Sequence, residues 1–95
     1  MDICAAIAGR RLIRFDYDGH ERVVEPHTYG LIGGGRRALC GYQVEGGSRS
    51  GSAAGWKTFH VDGMTRFEIL DRTFLRPRPE YRKGDRGFRK IFCDL

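Results

Sequence analysis

Arginine, lysine, histidine and aromatic residues are interspersed with apolar residues through the middle of this sequence. Guanidinium groups bind phosphate oxygens in pairs, and each nucleobase that stacks on an aromatic ring contributes about 1 to 3 kcal/mol. The stretch VVEPHTYGLIGGGRRALCGYQVEGG, residues 23–47, contains several of these residue types. They predict a site for an anionic ligand that carries a base. The candidate ligand-binding residues are Arg14, Arg22, His27, Tyr29, Arg36, Arg37, Trp56, Lys57 and His60.

A second group of cations lies near the end of the sequence. The formal net charge is +5, and the stretch RPRPEYRKGDRGFRK, residues 76–90, holds 7 basic and 2 acidic residues. Such a patch attracts polyanions and adds salt-sensitive affinity without sequence preference. A solvated basic tail that only keeps the protein in solution is the alternative. The candidate non-specific phosphate contacts are Arg82, Lys83 and Arg86.

Residues able to do catalysis are present, but their arrangement does not favour it. Ser48, Ser50 and Ser52 all lie in one Gly- and Ser-rich stretch, without a fixed base nearby. No carboxylate is placed locally to orient His27 or His60 as a base, and the spacing is not that of a metal site. We therefore predict no catalytic residue, no metal and no cofactor. A small phosphodiesterase or nuclease that uses His27 or His60 is the less favoured alternative.

The cysteines and the apolar runs bear on the compartment. Cys4, Cys40 and Cys93 are odd in number, far apart and never in a CxxC pair, which argues against a disulfide framework and against zinc. No apolar run approaches the roughly 20 residues that span a bilayer. We therefore expect a cytoplasmic protein with free thiols and no membrane partner.

Alternation of apolar and polar residues indicates a series of short strands. LIRFDY, DGH and ERVVEP read as a strand, a tight turn and a second strand, and WKTFHV, DG and MTRFEIL repeat that order. Pro26 cannot donate to a ladder, so we expect a bulge, an edge or the end of the strand there. DICAAIA predicts a short helix that begins near Asp2 and stops at Gly9.

Two segments are less regular. EGGSRSGSAAG, residues 45–55, is rich in Gly and Ser and predicts a loop between two strands. FRKIFCDL, residues 88–95, is compatible with either a terminal helix or an edge strand, and the pattern does not separate the two.

These elements predict one domain that is mainly β. A chain of 95 residues has room for one core, and closure into a small antiparallel barrel removes the exposed edges of so small a sheet. We assign residues 1–75 to this barrel with its short N-terminal helix. We assign residues 76–95 to a basic C-terminal extension that packs on or beside it.

The order of the elements resembles the bacterial WYL domain. The segments IRFDY, RVVEPHTYG, GRRALCGYQ, WKTFHVDGM and FEIL follow one another as in that family, over about residues 3–75. The most specific part is the tripeptide VEP at Val24, Glu25 and Pro26, followed by KTFHVD. The signature Trp-Tyr-Leu is replaced by ALC at residues 38–40, and Gly63 stands where an arginine is usual. The chain therefore resembles a divergent member.

The resemblance implies an SH3-like or Sm-like barrel that serves as a ligand sensor in bacterial transcription regulation. It also implies a nucleotide or nucleic acid as ligand, bound through basic and aromatic residues on one face of the barrel. Residues 1–11 are too few for the usual DNA-binding domain, so this resemblance describes a stand-alone sensor module. Our prediction is non-catalytic binding of a nucleotide or single-stranded nucleic acid. A protein interaction or homo-oligomerisation module without a specific ligand is the alternative.

Overall fold

The chain folds into six strands and one short helix. The computed structural model describes residues 1–49, 51, 54–85 and 87–95. Three-residue 3₁₀ turns follow β2 and β4. The elements are α1 (Ile3–Ala8), β1 (Arg11–Tyr17), β2 (His20–Ile32), β3 (Arg36–Gly46), β4 (Gly55–His60), β5 (Thr65–Thr73) and β6 (Lys90–Asp94).

The strands form one antiparallel sheet, as the alternation predicts. The hydrogen-bonded order is β4-β3-β2-β1-β5, with β6 paired to β2. A mainly β fold with a short N-terminal helix is thus confirmed. The second hairpin predicted from WKTFHV, DG and MTRFEIL is wrong, because β4 pairs with β3 whereas β5 crosses to the free edge of β1. Among the described residues, β4 and β5 lie at opposite ends of the order, and closure into a barrel stays a prediction.

Strand β2 is the centre of the sheet and is bent. Its first half pairs with β1 and its second half with β6, whereas β3 pairs along its whole length. The register with β3 shifts between Pro26 and Thr28, which confirms the bulge expected at the proline. An extra residue at a bulge bends and twists a strand. Because of the bend, the two halves of β2 pair with different strands, β1 and β6.

The first hairpin and the helix form for local reasons. Asp18 and Gly19 both have positive φ, at 51° and 76°, the backbone of a two-residue turn that matches strand twist. The Asp2 carboxylate accepts a hydrogen bond from the Ala5 amide at 3.0 Å, which caps the first turn of α1. Gly9 follows the last helical residue. Both predicted ends of the helix are therefore confirmed.

The main core lies between α1 and the inner face of the sheet. Phe15 and Phe59 meet edge to face with ring centroids 4.9 Å apart, and Tyr17 packs on Phe59 at 5.1 Å. Their burial, at roughly 1.5 to 3 kcal/mol for each large apolar side chain, favours this fold. A smaller second cluster lies elsewhere in the fold. Its buried members are Leu12, Val23 and Phe74.

The end of the chain is a strand, not a helix. Tyr29 and Gly30 of β2 face Cys93 and Ile91 of β6 in the register. A Cβ atom on Gly30 would collide with the Lys90 carbonyl, so the glycine allows β6 to approach. The C-terminal segment is extended because its backbone amides and carbonyls then form a ladder of hydrogen bonds with those of β2.

The expectation of free thiols is wrong for two of the three cysteines. Cys4 of α1 and Cys93 of β6 form a disulfide, with their Cα atoms 5.7 Å apart. Pairing of β6 with β2 beneath α1 brings together two residues that are 89 positions apart in sequence. Cys40 is the free cysteine, and its pKa is raised chiefly by burial.

The connection between β3 and β4 lies only partly within the described residues. The predicted loop, residues 45–55, spans the end of β3 and the start of β4, and residues 50, 52 and 53 lie outside the described ranges.

Within the described residues, no helix is both long enough and apolar enough to cross a bilayer.

Candidate nucleic-acid interface

The predicted ligand-binding residues do not form one continuous site. Arg14 of β1 pairs with Glu68 of β5, at the end of the strand order away from β4. Lys57 Nζ lies 3.5 Å from the Ser48 hydroxyl. The His60 amide donates to the Tyr17 hydroxyl at 3.1 Å. Strands β2 and β3 therefore lie between Arg14 and β4, which carries Lys57 and His60.

Arg22 lies inside the protein. Its side chain is 3% exposed, and its guanidinium donates to the Tyr17 carbonyl and to Gln43 Oε1, at 3.1 and 3.2 Å. The charge also lies 5.6 and 5.7 Å from the ring centroids of Tyr17 and Phe59, within the range of a cation–π contact. The burial argues against a role in binding a ligand at the surface, so we leave Arg22 out of the site.

His27 is also buried, at the bulge of β2. Its Nδ1 lies 2.8 Å from the Glu25 carbonyl, and its Nε2 accepts a hydrogen bond from the Arg78 amide at 3.1 Å. An amide N–H can only donate, so Nε2 is unprotonated and the proton of the neutral ring is on Nδ1. Burial lowers the pKa of His27, against the smaller opposing effect of Glu25. The histidine is thus held neutral.

We expect acid to destabilise the fold through His27. Its folded pKa is below the ordinary 6.5, so the unfolded chain takes up more protons as the pH falls below about 6.5. The free energy of unfolding should therefore decrease from pH 7 toward pH 5. Urea denaturation across this range measures the slope, and His27→Gln should flatten it. An unchanged slope in that variant would assign the effect to another group.

Trp56 and its neighbours form a row across three strands. In the register, Tyr42 of β3 lies opposite Glu25 of β2 on one side and Trp56 of β4 on the other. The rings of Tyr42 and Trp56 meet edge to face at 5.8 Å, and Trp56 contacts the His27 ring at 4.6 Å. We call this set, Glu25, His27, Tyr42 and Trp56, the Trp56 groove.

The Trp56 groove is occupied by the chain itself. The connection between β5 and β6 crosses it with RPRPEY, residues 76–81. Arg78 donates to both carboxylate oxygens of Glu25, at 2.7 and 3.1 Å, and its guanidinium carbon lies 4.4 Å from the Tyr42 ring centroid. The Trp56 indole N–H donates to the Pro79 carbonyl at 3.1 Å. His27 and Trp56 therefore have intramolecular partners.

Tyr29 and Arg37 come together at the other end of β2. The Arg37 guanidinium donates to the Tyr29 hydroxyl at 3.4 Å, and the rings of Tyr29 and Phe92 are 5.2 Å apart. Lys90 Nζ lies 5.9 Å from the Phe92 ring centroid. Leu31 of β2 pairs with Arg37 on one side and with Lys90 on the other. We call Tyr29, Arg37, Lys90 and Phe92 the hairpin patch.

The hairpin patch is exposed and cationic. Phe92 is 41% exposed, which is unusual for a large apolar side chain. Arg36 and Arg89 lie beside the patch at the same end of the sheet, and their residues are exposed. Asp62 lies 3.9 Å from Arg37, and both side chains are more than half exposed, so this ion pair is weak. The end of the β2–β3 hairpin thus combines cations with an accessible ring.

The candidate non-specific cations lie elsewhere. Arg82 and Lys83 are exposed and border a cleft of about 380 Å³ with Asp85. Arg86 lies outside the described residues. Sequence reasoning did not single out six residues that form the hairpin patch and the Trp56 groove or occupy that groove, namely Glu25, Tyr42, Arg78, Tyr81, Lys90 and Phe92.

In three comparisons with known proteins, no protein-family model, curated protein or solved structure matches this chain. Among the described residues, no cluster of three or more histidine, cysteine or carboxylate side chains is placed to hold a metal ion. The hairpin patch and the Trp56 groove are the two candidate binding surfaces among the described residues.

Proposed function

We propose that this protein is a non-catalytic module that binds a nucleotide or single-stranded nucleic acid at the hairpin patch. The observation that carries the proposal is the half-exposed Phe92 ring with Tyr29 beside it and Lys90 and Arg37 at its edges. A base can stack on an accessible ring, whereas the guanidinium and ammonium groups bind the phosphate attached to it.

The position of the hairpin patch on paired strands favours a role in ligand binding over a role that only keeps the protein in solution. Arg37 and Lys90 extend from strands on both sides of Leu31, so the backbone ladder fixes their spacing. Cations held on rigid strands lose less conformational entropy on binding than cations on a mobile tail. Arg36 and Arg89 add positive charge at the same end, which speeds encounter with a polyanion.

The wider setting is also part of the proposal. The order of a short helix, a hairpin and a bent central strand favours a divergent WYL-type sensor with a role in transcription regulation. We retain the cytoplasm as the proposed location, although disulfides such as Cys4–Cys93 persist mainly in oxidising compartments. Thiol labelling after rapid acid quenching of the producing cells tests this, because a fully oxidised pair contradicts a cytoplasmic protein.

Arg37→Ala should weaken binding of the preferred ligand by about 1 to 3 kcal/mol, because it removes one charge-assisted contact to phosphate. The measurement is fluorescence anisotropy with a labelled oligodeoxythymidylate, together with competition by mononucleotides and cyclic dinucleotides. Arg14→Ala is the matched control, because it also removes one arginine from a strand, but from β1, where Arg14 pairs with Glu68 of β5. It should bind like the parent.

A second comparison separates the patch from the basic extension. Replacing Arg82 and Lys83 with alanine should reduce affinity for every polyanion alike, and each lost phosphate contact should lower the salt slope by roughly 0.7. Arg37→Ala should instead alter the preference among ligands. If Arg37→Ala binds as the parent does while the Arg82 and Lys83 variant loses all binding, the hairpin patch is not the site.

A protein interaction module is the second candidate function. The observation that favours it is the peptide-like seating of RPRPEY in the Trp56 groove. This function would use a different surface from the hairpin patch.

A further inference from the structure

We infer that the Trp56 groove is a docking site for an extended Pro-Arg-Pro peptide of a partner protein. In the isolated chain, Pro77, Arg78 and Pro79 occupy the groove from the chain's own connection. This proposal uses a surface distinct from the hairpin patch, so the two can fail separately.

The contacts in the groove are those of peptide recognition. Glu25 accepts two hydrogen bonds from the Arg78 guanidinium, and the face of Tyr42 lies under the same group. The Arg78 backbone amide donates to His27 Nε2, and the Pro79 carbonyl accepts from the Trp56 indole. Aromatic grooves with an indole donor recognise proline-rich peptides because these are already extended and lose little entropy on binding.

The groove is built independently of its occupant. Glu25, Tyr42 and Trp56 lie opposite one another on β2, β3 and β4, in register. The ladder hydrogen bonds of those strands fix the backbone positions of the three residues without help from RPRPEY. We therefore expect the strands to keep the three residues side by side when the occupant is displaced.

The occupant, in contrast, is loosely packed. Leu75, directly before RPRPEY, is 83% exposed, and Arg76, Pro79 and Glu80 are exposed too. An open cleft of about 190 Å³ is lined by Trp56 and Cys40 on one side and by Glu80 and Tyr81 of the segment on the other. The segment is held by the hydrogen bonds of Arg78 and Pro79 and by the contacts of the Tyr81 ring with His27 and Trp56, and the residues between these contacts face solvent.

Charge complementarity defines the partner. Glu25 is buried, and its carboxylate is paired with the Arg78 guanidinium. The same contact is the main cause that raises the pKa of Arg78. A peptide without an arginine at this position would leave a buried carboxylate unpaired, and this excludes most proline-rich sequences. The partner peptide must therefore present arginine between residues that favour an extended backbone.

The test uses the full chain with Arg78→Ala, which weakens the internal occupant and keeps the groove. The probe is a fluorescein-labelled peptide of residues 74–82, FLRPRPEYR, measured by anisotropy. We expect the variant to bind it at least tenfold more tightly than the parent chain, whose own segment competes at high effective concentration. The same peptide with alanine in place of its central arginine should not bind.

Glu25→Gln in the Arg78→Ala background should reduce peptide affinity at least tenfold, whereas Glu45→Gln, which alters an exposed carboxylate of the same sheet, should not. If Arg78→Ala does not fold, Tyr81→Ala weakens the occupant in another way. Equal binding of the parent and alanine peptides by a folded variant overturns the proposal. A concentration-dependent dimer of the parent that is lost in Arg78→Ala overturns it as well, because the occupant would then come from a second copy.

Discussion

Replacing Cys93 with serine should lower the free energy of unfolding by about 4 to 5 kcal/mol. The Cys4–Cys93 bond closes a loop over a sequence separation of 89 residues, and the entropy that such a bond removes from the unfolded chain grows with the logarithm of the loop. Domains of this size are stable by only about 5 to 15 kcal/mol. The loss would be a large share of the total.

Urea denaturation of the parent and of Cys93→Ser measures this difference. Cys40→Ser is the control, because it removes the free cysteine and leaves the bond intact. Reduction of the parent should reproduce the effect of Cys93→Ser. A parent whose unfolding midpoint does not respond to reductant would mean that the bond does not form in solution.

Gln43→Ala should destabilise the protein by about 3 kcal/mol, because it strips a partner from a buried charge. Gln43 is fully buried, accepts from Arg22, and donates to the carbonyls of Glu45 and Gly47 at 3.1 and 3.0 Å. The Arg22 guanidinium keeps the Tyr17 carbonyl but loses its other acceptor, and a hydrogen bond to a buried charged group contributes about 1.5 to 3 kcal/mol. Thermal and urea unfolding measure the change.

A double variant separates the charge from the packing. Arg22→Met combined with Gln43→Leu removes both polar groups, and apolar pairs of similar volume often replace buried polar ones at little cost. We expect the double variant to be more stable than the sum of the single effects predicts. Additive losses would show that Gln43 acts through its shape or its contacts to the loop carbonyls, and not through Arg22.

Local chemistry made much of the fold predictable. The Asp2 cap, the turn at Asp18 and Gly19, and the bulge after Pro26 each depend on a few adjacent residues, and all are present. Alternation also identified the strands. It could not decide which side of β3 faces the core. Tyr42 lies under Arg78, whereas Leu39 and Gln43 of the same strand are buried.

The site was less predictable because it depends on residues distant in sequence. Arg22 resembles any surface arginine in a strand until Gln43, 21 positions away, is placed beside it. His27 and Arg78 are 51 positions apart, and nothing local shows that RPRPEY returns to β2. Phe92 became a candidate only when β6 was placed next to Tyr29. One available signal was the unusual RPRP sequence, which favours an extended ligand-like backbone.

The double pairing of β2 has a consequence for synthesis. Strand β6 is made after β1 to β5, so residues 28–31 of β2 are without their second neighbour while those strands fold. An unpaired strand edge is a template for association with other chains. The nascent protein is therefore most exposed to aggregation in the interval before β6 leaves the ribosome, and β6 ends that interval by covering the edge.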